Sequence, residues 1–341
     1  MTLRWIDGFD YYSTAQLTLN GYTLAGSPTI EARGRFSGNS LNCGAPAETV
    51  AYTTDGQSAW ITGAAVRFSD FTAGPVFAWL DGGTAQDEVR ISTDGTLAVT
   101  RNGTVLTGGI SVSALVVSTY YFIEWLLTIS DAICAGQCIV RVNGVSWINV
   151  DSGQDTRNGG ASASVIRLGK NGTADTLGDY DDWYVADRNG SITSAFLSDC
   201  RVITLFTSAD GTVSSWSPSS AGVFHYSMVG ETASPNSSVD YISSVSVLDL
   251  DYWRFSSIIS GSESTSVLAV KINLAAWKGD TGTREIGMAI LASGTTSVTV
   301  SQVLTTSQTI FGAILTSNPG TNTAWAYSTV SAAQFGVRLL T

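Results

Sequence analysis

Short alternations of apolar and polar residues recur along most of the chain and predict β-strands. Ala64, Val66 and Phe68 fall on one side of such a strand, and Val89 and Ile91 fall on one side of another, as the two-residue period of a strand requires. Strands recur about every 8–12 residues, which is the spacing of a β-sandwich. Dipeptides that favour tight hairpin turns separate several strands. These dipeptides are Asp94-Gly95, Asn102-Gly103 and Asn143-Gly144. The pattern therefore predicts an all-β protein.

The length of the chain indicates two domains, because 341 residues exceed what one hydrophobic core usually serves. We predict a first domain over residues 1–195 and a second, smaller β-sandwich over residues 201–341. The second domain is expected to open with a strand over residues 201–206, followed by a Ser- and Gly-rich loop over residues 208–222.

The composition narrows the possible functions. Charged residues make up 13% of the chain, about half the usual share, and the net charge is −11. Basic residues are scattered, which argues against binding to nucleic acid. Met1–Tyr12 lacks the basic and apolar regions of a secretory signal. The longest apolar stretch, residues 111–129, is interrupted by Glu124 and by hydroxyl side chains, so we expect no membrane span.

Residues for catalysis are sparse. His225 is the one histidine of the chain, and a nucleophilic triad would have to use it; the simpler interpretation is a loop histidine. Glu124 lacks the acidic neighbours at positions 126 and 128 that would place a carboxylate pair on one strand. We expect Glu124 to face solvent or to pair with an arginine, and we predict no catalytic residues and no enzyme.

An acidic cluster near the end of the first half is the best candidate site. Its members are Asp175, Asp179, Asp181, Asp182 and Asp187. Calcium prefers several carboxylate and carbonyl oxygens, so the cluster makes calcium a possible cofactor, with Asp175, Asp179 and Asp181 as candidate ligands. The spaced pattern of a calcium loop is missing. The alternative is that Asp181 or Asp182 accepts backbone hydrogen bonds and fixes the last strand of this half to the first.

The four cysteines do not have the spacing of a zinc site. Cys134 and Cys138 flank the tip of a predicted hairpin, where a disulfide could form outside a reducing compartment. The alternative is that all four are free and mostly buried thiols. We expect most of the tryptophans in the first half to lie in the core.

Several stretches of the chain carry a resemblance to known proteins. In the first half they are Trp5-Ile-Asp-Gly-Phe-Asp-Tyr-Tyr, Tyr120-Tyr-Phe-Ile-Glu-Trp, Val140-Arg-Val-Asn-Gly-Val and Tyr180-Asp-Asp-Trp-Tyr-Val-Ala-Asp, which resemble strands of a concanavalin A/laminin-G-like jelly roll. In the second half they are Arg201-Val-Ile-Thr-Leu-Phe, Trp216-Ser-Pro and Ala333-Gln-Phe-Gly-Val-Arg. The whole arrangement resembles tailed-bacteriophage virion proteins whose N-terminal half is such a jelly roll. The resemblance implies a fold and a place in the virion, and it assigns no active site.

Together these observations predict a structural component of a tailed-phage virion: a capsid decoration, a fibre or a tail-associated protein. Its expected partners are other virion proteins and further copies of itself, without nucleic acid or membrane. The alternative is a carbohydrate-binding adhesin module that recognises host-surface glycans. A glycan array probed with and without a chelator separates the two.

Overall fold

The computed structural model describes residues 2–45, 47–131, 136–169, 178–188, 196–231, 239–257 and 266–341. The chain divides into two compact units, Met1–Val202 and Ile203–Thr341. Antiparallel strands dominate both units, so the predicted all-β fold is confirmed. The predicted domain limits, residues 1–195 and 201–341, stay a prediction. None of the helices in the described ranges has the length and apolar character needed to cross a membrane.

The first unit is a jelly-roll sandwich of two sheets. Its strands are β1 (Leu3–Asp7), β2 (Tyr22–Ala25), β3 (Thr29–Glu31), β4 (Ser40–Cys43), β5 (Thr49–Gln57), β6 (Ala59–Phe68), β7 (Gly74–Asp81), β8 (Thr84–Ile91), β9 (Thr96–Arg101), β10 (Thr104–Ala114), β11 (Tyr121–Thr128), β12 (Gly136–Val142), β13 (Val145–Gln154), β14 (Ala163–Gly169) and β15 (Gly178–Asp187); two 3₁₀ turns lie at Thr14–Gln16 and Thr18–Asn20. Sheet 1 has the order β13-β12-β11-β6-β15-β4-β3, and β1 also pairs with β15. Sheet 2 has the order β10-β9-β8-β7-β14-β5-β2. Strands distant in sequence thus become neighbours, as in jelly rolls.

The two predicted Asn-Gly turns form as expected. Asn102 and Gly103 have φ values of 46° and 77°, and Asn143 and Gly144 have 48° and 78°. Two successive residues with positive φ define the hairpin turn that matches strand twist, and Asn and Gly tolerate this conformation best. The turns close the β9–β10 and β12–β13 hairpins.

Aromatic side chains fill the space between sheets 1 and 2. Trp60 of β6 stacks on Trp79 of β7 at a centroid distance of 4.5 Å, so the pair joins the two sheets. Trp125 and Trp183 are also fully buried. The prediction that most tryptophans of the first half lie in the core is confirmed for these four.

The second unit places a small ribbon over a larger sheet. Its elements are β16 (Thr207–Ser214), β17 (Ser217–Pro218), α1 (His225–Met228), β18 (Ile242–Ser243), β19 (Leu250–Phe255), β20 (Val270–Ala276), β21 (Glu285–Ala292), β22 (Thr295–Val298), β23 (Gln302–Val303), β24 (Thr309–Leu315), α2 (Tyr327–Ala332) and β25 (Gln334–Leu339). Sheet 3 has the order β16-β19-β25-β21-β22, and β23 also pairs with β21. The strands β20 and β24 pair with each other as a separate ribbon.

The start of the second unit differs from the prediction. Residues 201–206 form no strand, and β16 begins at Thr207 and runs to Ser214, into the stretch 208–222 that was predicted as a loop. The amide of Val202 donates to Asp182 instead of joining a ladder. In β16, the amide of Thr212 donates to the side-chain oxygen of Gln334 at 2.7 Å. That long-range contact supports a strand whose Ser- and Gly-rich composition favours a loop.

Candidate functional site

Asp179 of the predicted acidic cluster is held by hydrogen-bond donors. Its carboxylate accepts hydrogen bonds from Asn42 Nδ2 at 2.8 Å and from Arg67 Nη2 at 2.6 Å. These contacts tie β15 to β4 and β6. Asp175 lies outside the described residues.

Asp181 and Asp182 carry adjacent buried carboxyl groups where β15 has a bulge. The register shifts between Asp181 and Tyr184, and Asp182 has a φ of 52°, which is uncommon for a residue other than glycine. Asp181 accepts the backbone amide of Arg35 at 2.8 Å, and Asp182 accepts that of Val202 at 2.8 Å. Burial raises the pKa of both carboxyl groups, because the charged form loses its hydration. The pair therefore holds two loop segments against sheet 1.

Asp187 fixes the last strand of the first unit to the first one. It accepts the backbone amide of Thr2 at 2.9 Å and Arg4 Nε at 2.7 Å. Its side chain is fully buried, whereas that of Arg4 is about one-third exposed. The sequence assigned this role to Asp181 or Asp182; both accept backbone amides as expected, but from Arg35 and Val202, and it is Asp187 that accepts the amide next to the first strand.

The acidic residues of β15 are thus spread along the strand and occupied by separate partners. In the described ranges, no three His, Cys, Asp or Glu side chains lie close enough together to hold a metal ion. Calcium at Asp175, Asp179 and Asp181 stays a prediction. At Asp179 the cation would compete with the guanidinium of Arg67.

Glu124 is buried, so its predicted exposure to solvent is wrong. It lies on β11 and accepts the hydroxyl of Tyr184 at 2.6 Å and the amide of Ser198 at 2.9 Å. Burial raises the pKa of Glu124, and these hydrogen bonds offset part of that rise. Gly63 faces this pair, and a Cβ there would overlap the ring of Tyr184. The arrangement holds the segment Phe196–Val202 over the outer face of sheet 1.

An exposed aromatic side chain lies between two arginines beside this segment. Phe36 is 55% exposed, and the guanidinium carbons of Arg35 and Arg201 lie 4.7 Å and 4.6 Å from its ring centroid. Arg35 is itself fixed by Asp199, with Nη2 2.8 Å from a carboxylate oxygen. The set Arg35, Phe36 and Arg201, here called the Phe36 surface, offers an apolar ring flanked by hydrogen-bond donors.

Asp87 is an acid inside the sandwich. It is the cross-strand partner of Trp79, whose ring lies in the core. Both carboxyl oxygens of Asp87 are buried, and among the described residues neither has a hydrogen-bond partner. Burial raises the pKa of Asp87 well above its usual range, and the nearby Arg101 offsets only part of that rise. The group is thus kept in its neutral form over a wider pH range than an ordinary aspartate.

His225 is oriented by a buried carboxylate in the second unit. It is the first residue of α1, and its Nδ1 lies 2.5 Å from Asp251 Oδ2. Asp251 is fully buried and also accepts the amide of Trp216 at 2.9 Å, and burial raises its pKa. A His–Asp pair is part of a nucleophilic triad, but no serine, threonine or cysteine side chain bonds to His225 in the described ranges. The pair links α1 to β19.

Three of the four cysteines lie in the described residues, and all three are free thiols. Cys43 and Cys138 are buried free thiols and Cys200 is a half-buried one. Burial raises the pKa of all three thiols, so they are poor nucleophiles. Cys134 lies outside the described residues, so the predicted disulfide with Cys138 stays a prediction.

Comparison with known proteins assigns the chain to no family. No protein-family model matches the chain, and no curated protein matches it either. Similar solved structures include the marine PL-14 alginate lyase from Aplysia kurodai, with 12% identity and a TM-score of 0.40, covering 55% of this chain and 100% of that one. They also include a cellulose induced protein, Cip1, with 14% identity and a TM-score of 0.36, covering 54% of this chain and 91% of that one.

A third similar structure is the carbohydrate-binding module CBM66 from Bacillus subtilis, with 8% identity and a TM-score of 0.33, covering 49% of this chain and 95% of that one. Each comparison spans about half of this chain. With identities and TM-scores this low, no activity or ligand is carried over.

Proposed function

We propose that this chain is a non-catalytic structural component of a larger protein assembly, a tailed-phage virion according to its sequence resemblance. The observation that carries the proposal is the absence of charge from long parts of the sequence. Residues 286–337 contain no Asp, Glu, Lys, Arg or His, and neither do residues 102–123. The cores of protein–protein interfaces are depleted of charged residues in the same way.

Apolar side chains in these stretches are open to solvent. Val300 and Val303 are 83% and 59% exposed, and Val112 of β10 is fully exposed. Natural proteins often place charged side chains on edge strands such as β10, because charges prevent unwanted pairing. A surface without them is suited to being covered by neighbouring proteins.

The buried acids support a structural role for the same chain. Carboxyl groups with raised pKa values often mark catalytic sites. Here Glu124, Asp181 and Asp182 accept backbone amides and are screened from solvent. These hydrogen bonds hold the loops over sheet 1, and this structural role explains why the three acids are buried.

The test is to look for the chain in purified particles. Mass spectrometry of gradient-purified virions, followed by electron microscopy with a tag-specific label, should detect the chain at a fixed copy number and place. A soluble marker protein from the same lysate serves as the control for carry-over. If this chain disappears from the particle fraction during purification together with the soluble marker protein, the proposal is contradicted.

Carbohydrate binding is the second candidate, and the Phe36 surface favours it. Aromatic rings with polar groups at their rim are common in binding sites for small ligands. A glycan array probed with and without a chelator should then give a signal that Phe36→Ala removes. Phe224→Ala is the matched control, because Phe224 is 67% exposed in the other unit. Equal binding by both variants would contradict this site.

A further inference from the structure

In the part of the chain that the structure describes, both outer edges of the two-stranded ribbon lack a strand partner; the β24 edge contains no charged residue, whereas β20 contains Lys271. β24 pairs with β20 over Val270–Ala276 and Thr309–Leu315, and in the described ranges neither strand pairs with any other. An edge strand presents a row of free amide and carbonyl groups, which is a template for another strand. Trp325 Nε1 donates to the Leu315 carbonyl at 3.1 Å, so the last residue of this edge is already engaged.

The inner face of the ribbon is incompletely covered. Phe311 and Leu315 of β24, with Ile272 and Leu274 of β20, pack against the cores of the second unit but remain only partly buried. Sheet 3 is wider than the two-stranded ribbon that lies on it. Further strands added beside β24 would extend the narrower layer and bury more of this apolar surface.

The sequence of β24 is suited to pairing with itself. Thr309–Leu315 contains no charged residue and has Gly312 at its centre. In an antiparallel pair centred on Gly312, Ile310 would face Ile314 of the second copy and Phe311 would face Ala313. Large residues would then lie opposite apolar or small ones, with no like charges to separate the strands.

We propose that two copies of this chain associate through antiparallel pairing of β24 with β24, in register at Gly312. The four-stranded layer β20-β24-β24-β20 would then run across the two-fold axis. This inference rests on the proposed role of the chain as an assembly component, and it specifies one contact between two copies within that assembly. Pairing of single strands buries a small area, so we expect a dimer that dissociates on dilution.

Two variants with substitutions at the same two positions test the register. Ile310→Lys with Ile314→Lys places like charges opposite each other twice across the axis, whereas Ile310→Lys with Ile314→Glu places opposite charges there. Sedimentation equilibrium over a concentration series should give a dimer of twice 35.8 kDa for the wild type. The Lys/Glu variant should dimerise, and the Lys/Lys variant should dissociate at least about tenfold more readily than it.

A wild type that is monomeric throughout the series would overturn the proposal, and so would equal dimerisation of the two variants. If the Lys/Lys variant fails to fold by circular dichroism, hydrogen exchange of the wild type decides. The amides of residues 310–314 that point away from β20 should be protected more strongly at high protein concentration, and unchanged protection of these amides would refute the pairing. A monomer that is still found in purified particles would refute this contact and leave the assembly role intact.

Discussion

Replacing Asp87 by asparagine should change how the stability of the first unit depends on pH. The unfolded carboxyl titrates near pH 3.9, whereas burial raises the folded pKa well above that. A carboxyl group whose pKa is higher in the folded protein contributes its full stability below the unfolded pKa. That contribution is lost as the pH rises from the unfolded pKa towards the folded pKa. In that window the wild type should lose about 1.4 kcal/mol per pH unit relative to Asp87→Asn, because unfolding releases one proton.

Urea unfolding followed by tryptophan fluorescence measures this difference, since the stacked Trp60 and Trp79 are buried beside the site. The free energies of unfolding of the two proteins should diverge from about pH 4 upwards, where the unfolded carboxyl begins to ionise. Asp94→Asn is the matched control, because Asp94 is exposed and hydrogen bonds from Thr96 lower its pKa. Parallel pH profiles for the wild type and Asp87→Asn would refute the reasoning.

Three further substitutions test contacts inside the first unit or inside the second. Asp187→Ala removes the acceptor of the Thr2 amide and leaves Arg4 with Asp55 as its ion-pair partner. It should cost about 1–3 kcal/mol, reduced by the partial exposure of Arg4; an unchanged thermal midpoint would argue against this anchor. Trp60→Ala empties the centre of the first sandwich and should cost about 3–5 kcal/mol, and a loss below 1 kcal/mol in urea unfolding would be inconsistent with that packing. Asp251→Ala unpairs His225 and should cost about 1–3 kcal/mol, seen as lost amide protection in α1; full protection would contradict this role.

The fold could be predicted where local chemistry decides it. Asn102-Gly103 specifies a hairpin because both residues tolerate positive φ, and no distant contact is needed. The alternation at Ala64, Val66 and Phe68 likewise places these residues towards the core, where they are found. The strand β16 was missed because its support comes from Gln334, which is remote in sequence.

The buried acids show what the sequence conceals. Glu124 lies in the run Tyr121–Leu127, which is otherwise apolar, and such a run is typical of a strand buried on both faces. That signal could have placed Glu124 inside. The pairing of His225 with Asp251 depends on where β19 lies beside α1, and spacing along the chain does not determine it. The order of strands in the sheets therefore determines which buried carboxyl groups have hydrogen-bond partners.

The most direct test of the assembly role is hydrogen exchange of this chain in purified particles and in isolation. The uncharged residues 293–333, which lie between β21 and β25, should exchange more slowly in the particle, because neighbouring proteins cover them, while amides inside sheets 1 and 2 should exchange equally. Identical exchange of residues 293–333 in the two samples would contradict the account.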